Sequence, residues 1–140
     1  DGMAASAAYW AASQCDSIYT SESGTVGSIG VYMPWVDQSR RYEAAGVKVD
    51  IIKNSEGTFK AAGYPGTSLT PEQRDELQRQ CDQIYSMFAG DVTAKRKKSK
   101  SESMQGQTFM GAEAFRAGLI DGVVSWDQAM SEVRRLAKLG

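Results

Sequence analysis

The chain has 140 residues, 41% hydrophobic and 24% charged, with a net charge of −1. That length suits one domain with a modest core, and so small a charge gives no global field to attract nucleic acid. There is no histidine, which excludes a Ser-His-Asp triad or a Cys-His pair within these residues and argues against a catalytic zinc. No apolar run approaches the roughly 20 residues of a membrane-spanning helix. Asp1-Gly2-Met3 lacks the basic start of a signal peptide.

In chain order, residues 2–15 are rich in alanine and predict a short buried helix that includes Tyr9 and Trp10. Ser17-Ile18-Tyr19-Thr20 reads as a short strand and residues 21–24 as a turn. Residues 25–33 are β-rich. Gly27 and Gly30 interrupt them, and a glycine inside a strand marks a bulge or the close approach of another backbone. Residues 35–45 are amphipathic and predict a helix stopped at Gly46. Residues 47–52 alternate like a strand, and residues 54–68 form a Gly- and Pro-bearing loop.

Thr70-Pro71-Glu72-Gln73 is a helix start, with Thr70 as cap, Pro71 at the first helical position and Gln73 completing a capping box. The apolar stripe Leu77, Cys81, Ile84, Tyr85 and Phe88 carries that helix towards Lys95. Residues 96–103 are basic and Ser-rich and are expected to be mobile. Residues 111–117 predict a short helix and residues 119–124 a final strand with a glycine break. Ser125 then caps a last helix through Leu139, with Trp126 and Met130 on one face. Cys15 and Cys81 show neither CxxC nor zinc spacing and read as two free thiols in helices. Alternating strands and helices indicate an α/β class. A domain that opens on a helix is expected to lack upstream strands, so residues 1–140 read as one partial domain.

Without histidine, a hydrolase base must be Lys, Asp, Glu or Tyr. Ser6 stands among alanines at a predicted helix start, where substrate has room and backbone N–H groups can face an oxyanion. The plainer account of Ser6 is a cap or small packing residue. Lys60 lies in Glu56-Gly57-Thr58-Phe59-Lys60-Ala61-Ala62-Gly63-Tyr64-Pro65. A lysine acts as a base only when neutral. At neutral pH that needs roughly 4 kcal/mol of differential stabilisation, which burial beside apolar groups supplies. Phe59, Ala61 and Tyr64 can form such a wall. The plainer account of Lys60 is a solvated loop lysine, and Lys48 and Lys53 are rivals with nothing marking them out.

Ala5-Ser6-Ala7-Ala8-Tyr9-Trp10 resembles the nucleophile segment of the signal peptide peptidase A family, Ala-Ser-Gly-Gly-Tyr-Tyr. Thr25-Val26-Gly27-Ser28-Ile29-Gly30-Val31 is similar to its Thr-Gly-Ser-Ile-Gly-Val segment. Residues 57–65 and 68–74 resemble its lysine segment and the stretch that follows. Residues 107–114, followed by Gly118-Leu119-Ile120-Asp121, resemble its closing Thr-Gly-x-x-Ala and Gly-Leu-Val-Asp pattern. Any one of these segments alone would be weak; five in order across nearly the whole chain are specific.

The resemblance implies a Clp-protease/crotonase-like fold, here its C-terminal portion, and a serine peptidase with a Ser–Lys dyad. It implies Ser6 as nucleophile, Lys60 as base, Ser28 as the hydroxyl that orients the lysine, and the Ala7 N–H as an oxyanion donor. It implies no cofactor and no metal, a peptide or protein substrate, and a homo-oligomer with sites between subunits. Two departures stand out. Ala7-Ala8 replaces the glycine pair, narrowing the space by the oxyanion. The family's upstream strand, with its glycine-rich oxyanion segment, is not among these residues, so half of the hole is expected from outside them and the piece alone is expected to lack full activity.

Two roles compete within the family. A capsid-assembly protease of phage or prophage would act in the bacterial cytoplasm. A signal peptide peptidase would sit at the inner membrane facing outward, with any membrane association through an upstream segment. Residues 103–109 look more like the phage type. An inactive assembly module of the same fold is the alternative of another class. Lys95-Arg96-Lys97-Lys98-Ser99-Lys100 reads first as a solvated helix end and only second as a contact for anionic lipid or DNA.

Overall fold

The computed structural model describes residues 2–137. They fall into two compact units, one holding residues up to 31 together with those from 84 onward, the other residues 32–83.

In the first unit a three-stranded sheet is built from β1 (Met3–Ala5), β3 (Thr25–Gly27) and β4 (Thr108–Met110), in the order β1-β3-β4. β1 and β3 run parallel with Ala5 opposite Gly27, while β3 and β4 run antiparallel with Gly27 opposite Thr108. A two-stranded parallel pair, β2 (Tyr19–Thr20) with β5 (Gly122–Val123), stands beside it. The expectation that the chain opens on a helix is corrected. Met3–Ala5 is a strand, and only Ala7–Ser13 is helix α1. Even alanine's helix propensity is a small preference per residue, and a ladder partner for the backbone groups outweighs it. Cys15 therefore lies just past α1 rather than in it, while Cys81 is helical, and both thiols are free.

The β-rich reading of residues 25–33 shrinks to Thr25–Gly27, but the glycine inference holds. A Cβ on Gly27 would meet the Gln107 carbonyl oxygen at 2.9 Å, so the partner backbone occupies that space. α4 (Gly111–Arg116) and α5 (Trp126–Ala137) fall near their predicted places. Ser125 and Gln128 exchange the two bonds of a capping box; the predicted end at Leu139 lies outside the described residues.

The core of this unit gathers Tyr9, Val26, Ile29, Phe88, Val92, Leu119 and Ile120. Phe88 and Val92 are four apart on α3 (Pro71–Lys95) and share one face. Trp10 stacks on Phe88 with centroids 4.7 Å apart and donates to Asp91 at 2.8 Å, which fixes α1 against that face. Tyr9 is fully buried, and its hydroxyl donates to the Leu119 carbonyl at 2.7 Å. Burial pushes its phenol far above the ordinary range, so it stays a donor. Truncating Phe88 to alanine would cost about 3–5 kcal/mol.

Arg96 stands apart from the basic run it belongs to in sequence. It is buried, pairs with Asp121 at 2.6 Å, and donates to the Cys15 carbonyl. Asp121 also accepts from the Ile18 N–H at 2.8 Å. One guanidinium thus ties the end of α1 to the entrances of β2 and β5.

The second unit holds α2 (Ser39–Ala44) and the start of α3. The helix expected over residues 35–45 forms only in its second half, and Gly46 ends it with a backbone bond to Glu43. The strand expected over residues 47–52 is corrected: those residues pair with no strand among the described residues. Their alternation instead packs Val49 near the loop. The capping box at Thr70 and Gln73 forms as predicted, with reciprocal bonds of 3.2 and 3.3 Å.

Candidate active site

Ser6 sits where β1 turns into α1. Its N–H donates to the Gly27 carbonyl at 2.9 Å, and its carbonyl accepts from the Trp10 N–H at 2.9 Å. The residue is therefore held by the sheet on one side and the helix on the other. Between those anchors the chain must reverse sharply, and Ser6 takes φ 54° and ψ −126°. That region is unfavourable for any side chain with a Cβ and persists only where the surroundings dictate it. The turn leaves Ser6 exposed, with its hydroxyl making no capping bond. A strained strand-to-helix turn presenting a serine is a known way to display a nucleophile.

Ser28 follows Gly27 as Ser6 follows Ala5, so the two serines leave adjacent parallel strands at the same level. Its N–H donates to the Gln107 carbonyl at 2.6 Å, and its φ is 52°. Ala7 is the first residue of α1, where helix geometry leaves the N–H without an intrahelical acceptor. Ala7 and Ala8 are both exposed.

Lys60 lies in the second unit, within consecutive turns. Its N–H donates to Gly57, and Ala61 beside it has φ 62°. The side chain is exposed, as are Phe59 and Tyr64. Lys53, the rival, is committed elsewhere: its ammonium donates to the carbonyls of Gly57 and Thr58 at 2.8 and 3.0 Å. Gln73 adds a bond to the same Thr58 carbonyl. Lys53 is thus a brace for the turn that carries Lys60, a role its sequence position did not signal.

Among the described residues, the non-glycine residues with positive φ are Ser6, Ser28 and Ala61. They fall at the three segments the sequence singled out. No group of His, Cys, Asp or Glu among the described residues is arranged to hold a metal ion.

An exposed serine on a strained turn, in a mixed α/β chain, has the form of a nucleophilic hydrolase site. The chain belongs to Peptidase family S49, whose model matches residues 1–140. It is 29% identical to Protease 4 of Haemophilus influenzae over 96% of its length, covering 22% of that protein. It is 30% identical to Protease 4 of Salmonella typhi over 99% of its length, and 30% identical to Capsid assembly protease C of Escherichia phage lambda over 94%. The chain spans less than half the length of these relatives, at 22% and 30% of the latter two.

Proposed function

We propose that this chain carries the catalytic residues of a serine endopeptidase that works through a Ser–Lys dyad on a Clp-protease/crotonase-like fold. Neutral Lys60 takes the Ser6 proton as Ser6 attacks a peptide carbonyl. The Ala7 N–H stabilises the tetrahedral oxyanion, and a donor outside these residues completes the hole. Lysine then protonates the leaving amine, and water releases the acyl group. Ser28 orients the lysine.

The observation that carries this reading is the strained backbone at Ser6. A cap or packing serine has no need of such a conformation, and this one makes no capping bond. The exposed Lys60 must lose water to act as a base. Phe59 and Tyr64, both exposed beside it, are suited to that cover once substrate or a neighbouring subunit closes over them. Exposed Tyr32, Val36 and Ile52 in the same unit fit subunit contact and support a homo-oligomer.

Polypeptide is the substrate class, and residues 103–109 favour the phage-type role in capsid assembly. No helix among the described residues is long and apolar enough to cross a membrane.

The test uses the complete protein and a fluorophosphonate probe. Labelling at Ser6, with loss of labelling and of peptide cleavage in Ser6→Ala and loss of cleavage in Lys60→Ala, is expected. Full activity in either variant would sink the dyad, and an intact protein that takes no label would favour an inert assembly module.

A further inference from the structure

Beyond the site, the first unit has a cleft of about 580 Å³ whose lining includes Lys95, Lys97, Lys98, Lys100 and Arg116. Among the described residues none of these five joins an ion pair. The one acid in the lining, Asp121, is already taken by Arg96. The cleft is therefore strongly cationic in a chain whose net charge is −1.

Lys95 has an ordinary explanation, since it closes α3 and offsets the helix dipole. Arg116 closes α4 in the same way, but the effect fades within the last turn, so it does not account for Lys98 or Lys100. The wall is also built rather than loose. α4 ends in a Schellman motif, with Gly118 donating to Phe115 and Leu119 to Ala114. A Cβ on Gly118 would sit 2.0 Å from the Lys98 carbonyl oxygen, so the two lining segments touch through backbone. Phe115, half exposed, adds an apolar surface to the charged rim.

We infer that this cleft docks an acidic segment of a polypeptide. A concave site of this volume suits a short extended stretch of carboxylates better than a duplex or a flat membrane surface. Phe115 suits the apolar residues between the acids. That the ligand is polypeptide rests on the peptidase reading. Arg96 places the cleft by the Cys15 end of α1, whereas Ser6 precedes its other end. α1 is about 10 Å long, so a docked acidic stretch would begin at least about three residues of extended chain from the bond at Ser6.

The experiment measures binding rather than cleavage. Fluorescein-labelled decaglutamate is titrated against the intact protein by fluorescence anisotropy at low and physiological salt. Binding that weakens with salt is expected. The variant Lys97→Gln/Lys98→Gln/Lys100→Gln should weaken it at least about tenfold. A control, Arg40→Gln/Lys48→Gln/Arg74→Gln, removes the same charge elsewhere and should change it less than about threefold.

Absence of peptide binding, or equal losses in both variants, overturns the proposal. So does tighter cleft-dependent binding of oligothymidine or of phosphatidylserine vesicles. Fluorophosphonate labelling of Ser6 in the cleft variant is expected to be unchanged. Lost binding with retained labelling would therefore be a property of the cleft, and failure of labelling in every form would count against the peptidase reading alone.

Discussion

Strain at Ser6 makes a prediction in which stability and activity move in opposite directions. Glycine has no Cβ and accepts φ 54° with ψ −126° freely, whereas alanine keeps the clash that serine has. A residue forced into such a region stores about 1–3 kcal/mol. Ser6→Gly releases that energy, but glycine also loses more chain entropy on folding, about 0.5–1 kcal/mol. The net effect is a gain of about 1 kcal/mol. The hydroxyl makes no capping bond, so its removal in Ser6→Ala should change stability by less than about 0.5 kcal/mol. Urea unfolding of the intact protein, followed by circular dichroism, measures the two variants against the parent. The glycine variant should have the higher midpoint while both fail to react with a fluorophosphonate. If Ser6→Gly proves less stable than Ser6→Ala, the turn is not strained and the case for a forced nucleophile geometry falls.

Three further outcomes follow from contacts in the fold. Gly118→Ala puts a methyl 2.0 Å from the Lys98 carbonyl at φ +75°, and should cost at least about 2 kcal/mol in urea unfolding; a neutral substitution would show that the two segments are not in register. Asp121→Asn removes the counter-charge of a buried Arg96. Asp121 is partly exposed, so the cost should be about 2 kcal/mol rather than the full cost of breaking a deeply buried pair. Adding Arg96→Met to Asp121→Asn should cost less than the sum of the two changes, and strict additivity would refute the pairing. Glu76 has its carboxyl drawn from 4.5 down to about 2, first by a hydrogen bond from Arg79 and then by one from Gln80. A depressed value favours the folded form above the unfolded value, so this contribution fades as pH falls from 4.5 towards about 2. An NMR titration should place its midpoint low, and Arg79→Gln should return it towards the ordinary range; an unmoved midpoint would exclude Arg79 as the cause.

The parts of the fold legible in sequence were those written in local chemistry. Both capping boxes, at Thr70 and at Ser125, rest on residues three apart and form as read. Gly27 announced close backbone approach because a glycine in a β-rich run has few other uses. What failed was decided by partners distant in the chain. Met3–Ala5 became a strand because Thr25–Gly27 offers it a ladder, and residues 47–52 did not because no strand meets them. Arg96 looked like one more cation in a run, and only its distant acceptors, Asp121 and Cys15, set it apart. At the site, the candidate residues came from segment resemblance. The positive φ at Ser6, Ser28 and Ala61 left no trace in residue type, since neither serine nor alanine favours that region.

The register that frames Ser6 also sets the order in which the site can come into being. The serine is held through Gly27, and Gly27 and Ser28 are held in turn by Thr108 and Gln107, far downstream. Pairings between segments so distant in the chain form slowly and only after both have been made. A ribosome-bound chain that has passed Ser6 but not Gln107 therefore carries the hydroxyl without the frame that forces its turn. In a cell, the turn at Ser6 would take its forced shape only once the stretch around Gln107 had emerged.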